Sequence, residues 1–303
     1  MKRRGSATGR APGKIGNLDT EGRCRKAKGI RRYYIMRIGS RDFDTKHHCY
    51  IMGILNVTPD SFSDGGRFSQ MDAALFHVEE MIKEGMDIVD IGGESTRPGH
   101  TKVSEEEEIN RVIPVAEQIR ARFDIPISLD TYKSKVAAAG IAAGVDVIND
   151  IWGLKYDGNL AGLIADAGIP CILMHNRQKP DYTSYMQNVL EDLSESVQIA
   201  RQAGIADEKI ILDPGIGFGK TYENNLEILN KLEILHSFGY PLLLAASRKS
   251  MIGTALDLPV EERLEGTLVT TVIGVMKGVM FVRVHDVKEN VRAIKMAEAI
   301  LNQ

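Results

Sequence analysis

The feature that most limits what this chain can fold into is an alternation that begins near residue 50 and runs almost to the C-terminus. Short apolar runs rich in β-branched residues, at 50–56, 87–91, 127–130, 146–149, 171–174, 210–213, 242–246 and 280–284, are separated by longer stretches with helical spacing. Runs of this kind read as strands buried on both faces, and helices between them make neighbouring strands parallel. Eight strand-plus-helix units over about 250 residues predict a single-domain α/β fold, the (β/α)8 TIM barrel. An open doubly wound sheet is the rival, but no GxGxxG follows the first run.

Finer signals sit on this frame. Ser104 with Glu107 reads as a capping box and Ser69 with Asp72 as a weaker helix start, and further helices are expected at 184–203, 224–238, 261–277 and 288–301. Gly39-Ser40, between two short extended runs in 35–49, predicts a hairpin closing the bottom of the barrel. Residues 1–35 are basic, Gly-rich and unable to bury a face, so they are expected to form a disordered arm or a non-native extension, with the barrel at 36–303. An Arg-rich transit peptide is the minority reading of that arm.

With Lys+Arg 38 against Asp+Glu 41, the formal charge of -3 offers no footprint for nucleic acid. No apolar run reaches membrane-spanning length. Cys24, Cys49 and Cys171 are too scattered for a disulfide framework or a metal-ligating CxxC pair, so a reducing cytoplasm is the expected compartment.

Chemistry-bearing residues collect where the runs end, which in a TIM barrel is the face that carries active sites. The first run leads into Asn56 and a long polar stretch through Gly66, and the second into Asp90 to Gly99, with paired glycines and Arg97. Others stop at Asp130, Asn149 and Asp213, and the last two lead into Ser247-Arg248-Lys249-Ser250 and Arg283-Val284-His285. Singly, each is an ordinary strand terminus, Arg248 an ordinary scaffold ion pair and His285 an ordinary surface histidine. Together, convergent carboxylates and an amide suit a flat heterocycle with several N–H donors, and the late cations suit a phosphate. Phe218, in a Gly-rich loop, would be an odd exposed aromatic unless it stacks on something planar. Asn56 could supply the single protein oxygen of a magnesium ion held mainly by phosphate and water.

NVTPDSFSDGG at 56–66, DIGGESTRPG at 90–99, SLDTY at 128–132, VIND at 147–150, LDPGIGF at 212–218, SRKS at 247–250 and RVHDV at 283–287 together resemble the dihydropteroate synthases. The resemblance runs from about Arg37 to the C-terminus. It implies a sulfonamide-targeted transferase of folate biosynthesis that condenses 6-hydroxymethyl-7,8-dihydropterin diphosphate with p-aminobenzoate, releasing pyrophosphate. Asp130, Asn149, Met174, Asp213 and Lys249 would then hold the pterin, and Asn56, Arg283 and His285 the diphosphate, with Mg2+ on Asn56. Phe62, Thr96, Pro98, Phe218 and Ser250 would shape the p-aminobenzoate pocket. Asp64 and Arg97 would act from two loops, joining Asp130, Asp213 and Lys249 in catalysis. A homodimer packed through barrel helices is implied as well.

Two departures are visible: Ala245-Ala246 before SRKS, where the family often has glycine, and His175-Asn176-Arg177 in place of the commoner His-Met-Arg. A methyltetrahydrofolate methyltransferase would need no diphosphate pocket, and a non-catalytic pterin-binding paralogue would have lost Asp64, Arg97 or Lys249. All the corresponding residues are present.

Overall fold

The computed structural model describes residues 35–57, 67–94 and 102–303. The arm expected upstream lies outside them, except that Ile35 already belongs to a strand. Strands β1 (Ile35–Ile38) and β2 (Arg41–Asp44) pair as an antiparallel hairpin that turns at Gly39, where φ is 56°.

The barrel strands follow as β3 (Tyr50–Asn56), β4 (Ile88–Gly92), β5 (Ile127–Asp130), β6 (Val147–Asp150), β7 (Cys171–Met174), β8 (Ile210–Asp213), β9 (Leu243–Leu244) and β10 (Phe281–Val284). All pair in parallel, in the order β8-β7-β6-β5-β4-β3-β10-β9. A parallel bridge from Leu212 to Leu242 joins the two ends of that order into a nearly closed barrel. The run expected at 242–246 is thus a strand for only two residues. Beyond Leu244 the chain leaves the sheet and turns at Ser247 and Arg248.

Around the strands stand α1 (Arg67–Glu84), α2 (Glu105–Arg122), α3 (Ser134–Ala142), α4 (Leu160–Ala167), α5 (Tyr185–Ala203), α6 (Tyr222–Asn230), α7 (Ser250–Leu256), α8 (Leu264–Met276) and α9 (Val287–Leu301). Ser104 caps α2 by accepting from the Glu107 N–H, while the Glu107 carboxylate turns to Arg111 instead of closing a box. Helix α1 is under way at Arg67, so Ser69 is not its cap. The helix expected at 224–238 breaks after Asn230 into a 3-10 segment, Leu232–Phe238, and the one expected at 261–277 starts only at Leu264. Sequence spacing had not singled out α7.

Strand alternation divides the interior in two. Outward residues such as Ile51, Val89, Leu129, Ile148, Leu173, Leu212 and Val282 pack under the helices in one large core. Inward residues Met52, Ile88, Val147, Ile172, Ile211, Leu243 and Phe281 form a second core at the lower end, with Met36, Ile38 and Phe43 from the hairpin. The hairpin therefore plugs the bottom of the barrel, as expected. Phe43 meets Tyr50 edge-on at 4.8 Å and stands 5.9 Å from Phe281, ring centre to ring centre.

Truncating the plug should be costly, because no neighbouring element can collapse into a closed barrel end. Phe43→Ala is expected to lower the unfolding free energy by about 3–5 kcal/mol in denaturant titrations. A loss below about 1 kcal/mol would show that the plug is dispensable.

Candidate active site

The inward positions one layer above the apolar plug are polar. Asn56 aligns with Gly92, Gly92 with Asp130, Asp130 with Asn149 and, farther round, Met174 with Asp213. Because side chains alternate strictly along a strand, residues two apart from the plug must face the same lumen. Asp90 and Arg283 occupy that layer by the same parity, two residues after Ile88 and Phe281. Asp150 has the opposite parity, and its carboxylate accepts from the Trp152 N–H at 2.8 Å, tying down a turn outside the lumen.

Arg283 is the hinge of the arrangement. Its Nε donates to Asp90 at 2.5 Å and its Nη2 to Asp130 at 2.8 Å, from a strand that is not adjacent to either partner. The guanidinium expected to face a diphosphate is therefore engaged between two buried carboxylates in the floor of the mouth. Asn149 points its amide at the same Asp90, with long contacts of 3.4 and 3.5 Å. Sequence reading gave Asp90 no role, although the Ile88, Asp90, Gly92 alternation already pointed it inward.

Charge is crowded here. Burial raises the Asp130 carboxyl to about 7, with Arg283 opposing and Asp90 reinforcing. Burial likewise lifts Asp213 to about 6, against the Gly215 N–H that donates to it at 2.7 Å. Upward shifts of this size mean that holding each carboxylate ionised near neutral pH forgoes on the order of 3 kcal/mol of folding stability. Asp130 also keeps Oδ1 buried with no hydrogen-bond partner among the described residues. Such an orphan acceptor is expensive unless a ligand supplies the donor.

Beyond β8 the chain folds back at Gly215 and Gly217, with φ of 70° and 85°. A Cβ at Gly215 would run into the His175 carbonyl, and one at Gly217 would stand 3.3 Å from the Lys249 stem. Lys249 thus lies along this loop and places its ammonium 4.2 Å from the centre of the Phe218 ring. Phe218 is partly buried against the cluster of Met174, Tyr132 and Ile151, beside the floor.

The loop is held from behind by Lys220, which the sequence reading passed over. Its Nζ donates to the Phe218 carbonyl at 2.9 Å and to His175 Nδ1 at 2.8 Å. With Nδ1 accepting, His175 carries its proton on Nε2 and donates it to Asp192 at 3.0 Å, where Arg177 also docks through Nε at 2.6 Å. Burial, with Lys220 adding, lowers His175 to about 4, and burial takes Lys220 down to about 7. His175 and Arg177 therefore buttress the loop.

Ser247 accepts from the His285 backbone N–H at 3.2 Å and faces His285 Nδ1 at 3.0 Å. Arg248 is the scaffold residue its ordinary reading suggested: at φ 55° it pairs with Asp286 through Nε at 3.0 Å. Ser250 is exposed at the first turn of α7, and Ala245 packs into the lower core without displacing the floor.

Under the DIGGE turn, Lys133 donates to Glu94 and Glu108 at 2.6 Å each and to the Val103 carbonyl at 2.8 Å, while Tyr132 donates to Glu94 at 2.7 Å. Glu94 and Val103 flank residues 95–101. Phe62, Asp64, Thr96, Arg97 and Pro98 lie outside the described residues. Among the described residues no cluster of three His, Cys, Asp or Glu could hold a metal ion.

Residues 52–285 match the pterin binding enzyme family. A dihydropteroate synthase of Clostridium beijerinckii is 60% identical over 269 residues, covering 88% of this chain and 100% of its own. A crystal structure of the Clostridium difficile enzyme in the presence of pteroic acid aligns with TM-score 0.84 at 48% identity, covering 86% of this chain and 100% of that one. The Xanthomonas albilineans enzyme with 4-aminobenzoic acid gives TM-score 0.85 at 38% identity, covering 88% and 98%. Matches of this identity and extent, on a barrel whose polar layer has the geometry above, place the chain in the dihydropteroate synthase family.

Proposed function

We infer that this barrel mouth joins the methylene carbon of a dihydropterin diphosphate to the amine of p-aminobenzoate, giving dihydropteroate and pyrophosphate. The observation that carries the residue assignment is the buried Asp130 Oδ1, unpartnered among the described residues, in a floor of Asp213, Asn149 and Met174. A pterin edge presents the N–H donors such a floor lacks. Lys249 and Phe218 would cover the ring beside Met174.

The diphosphate belongs on the Asn56 side of the mouth, with His285, and with Arg283 contributing charge from below. Asn56 ends β3 and is exposed, with its Oδ1 directed over Gly92, so a hard cation could take one protein oxygen there and draw the rest from phosphate and water. When bound, Mg2+ would neutralise the leaving diphosphate.

As the carbon–oxygen bond breaks, its electron pair leaves with diphosphate and positive charge spreads from the methylene into the ring. Asp130 and Asp213, ionised, would stabilise that charge from a water-poor floor. The amine lone pair then forms the carbon–nitrogen bond, and the ammonium proton is lost to solvent. Asp64 and Arg97, with Phe62, Thr96, Pro98 and Ser250 around p-aminobenzoate, complete the reading. A homodimer is part of it, for which exposed Val269 and Met276 on α8 offer an apolar face, as is a cytoplasmic setting suited to the buried free thiols Cys49 and Cys171.

Incubation with the dihydropterin diphosphate, p-aminobenzoate and Mg2+ should release pyrophosphate and dihydropteroate in equal amounts. Folded protein that makes neither overturns the reading. Asp130→Ala and Lys249→Ala are each expected to cut kcat/KM by about 10²–10³-fold, and parent rates would contradict their roles. Asn56→Ala should raise the Mg2+ concentration needed for half-maximal rate by at least about tenfold, and an unchanged requirement would remove Asn56 from the metal site.

The pH dependence has a definite sign. Asp213 ionises near 6, so the parent loses this charge as pH falls through that value, whereas Asp213→Asn has none to lose. The variant-to-parent ratio of kcat/KM should therefore rise below pH 6 and be lowest above pH 7, with titration of the substrate phosphates cancelling in the ratio. A ratio flat across that range would show that the Asp213 charge is not used.

A further inference from the structure

Glycines here are mostly forced, as at Gly93, where a Cβ would stand 2.6 Å from Val112. Gly92 is different. A Cβ there would meet, among the described residues, nothing nearer than Asn56 Oδ1 and Asp130 Cβ at 3.8 Å and Asp130 Oδ2 at 3.9 Å, and its φ is not left-handed. Those are ordinary van der Waals separations, so the described residues leave room for alanine. Glycine inside a strand also weakens it, so the fold alone would favour the larger residue.

The missing side chain would point into the mouth, midway between the residue read as the diphosphate and metal contact and one read as a pterin contact. Asn56 and Asp130 flank Gly92 in register on the two neighbouring strands, so their backbones are about 10 Å apart with Gly92 between. We propose that Gly92 is a specificity-determining position, its absent side chain leaving a notch through which the methylene–diphosphate arm of the substrate crosses from Asp130 to Asn56. This rests on the function inferred above, since the bond that breaks must join a ring held on one side to a diphosphate held on the other. A methyl group at 3.8 Å from both flanking residues leaves no van der Waals room for a further atom between them. A pterin without the arm has no atom to place there.

The test uses the full-length Gly92→Ala variant with two ligands, unsubstituted pterin and the dihydropterin diphosphate with Mg2+, measured by calorimetry beside thermal melts and turnover. The expected result is a Tm equal to or above the parent's and pterin affinity within about threefold. Affinity and kcat/KM for the diphosphate substrate should fall by about 10–100-fold, the effect of overfilling a packed site. Parent-like turnover, equal loss of both ligands, or a destabilised variant would each overturn the notch. A parent protein that binds no pterin and forms no product would instead overturn the inferred function.

Discussion

The buried guanidinium of Arg283 is the interaction on which the upper half of the barrel depends. It reaches across the lumen from β10 to Asp90 on β4 and Asp130 on β5, two strands with which β10 shares no backbone hydrogen bonds. Three inward carboxylates, Asp90, Asp130 and Asp213, stand almost fully buried in that layer. Burial drives Asp130 and Asp213 toward their neutral forms, and the Arg283 charge opposes that drive in both. Burial alone would lower the Arg283 pKa, but Asp90 and Asp130 outweigh it and hold the charge in place. Even so, Asp130 and Asp213 remain shifted upward, so the arrangement costs stability and is not explained by folding.

The lower half can carry that cost. Below the polar layer the lumen is filled by Met52, Ile88, Val147, Ile172, Ile211, Leu243 and Phe281, sealed by the hairpin residues Met36, Ile38 and Phe43. One lumen thus has a dry, apolar end that stabilises and a charged end that binds. The two are separated by a single step of strand alternation, so neither can shift without moving the other.

Much of this was legible in the sequence because strand parity is strict. Once the runs ending at Asn56, Asp130, Asn149, Met174 and Asp213 are read as parallel barrel strands, their last inward residues must share one rim, and the register pairs them as expected. What escaped depends on contacts between residues distant in the chain. Nothing local to RVHDV shows that Arg283 pairs with Asp90 and Asp130 across the lumen. Lys220 looks like a surface lysine after a flexible turn, yet its ammonium is buried against His175 and the Phe218 carbonyl. Local propensity also misplaced the start of α1 at Ser69 and extended β9 past Leu244, where the chain leaves the sheet to turn at Ser247 and Arg248.

The floor is built on strands, but Lys249 and Phe218 stand on loops, and loops do not hold side chains to fractions of an ångström unaided. Here the unaided case does not arise. Glycines bring the β8 loop backbone against His175, Lys220 ties the Phe218 carbonyl to His175, and Asp192 fixes His175 and Arg177 from α5. On the other side Lys133 joins Glu94, Glu108 and the Val103 carbonyl, fixing both flanks of residues 95–101 to α2 and to the end of β5. Each buttress is a lysine with its acceptors supplied by the chain, and breaking the Lys133 set would strand a buried ammonium among two carboxylates. The two sets of contacts thereby fix the β8 loop and the described flanks, Glu94 and Val103, to the strands and helices that form the centre of the mouth.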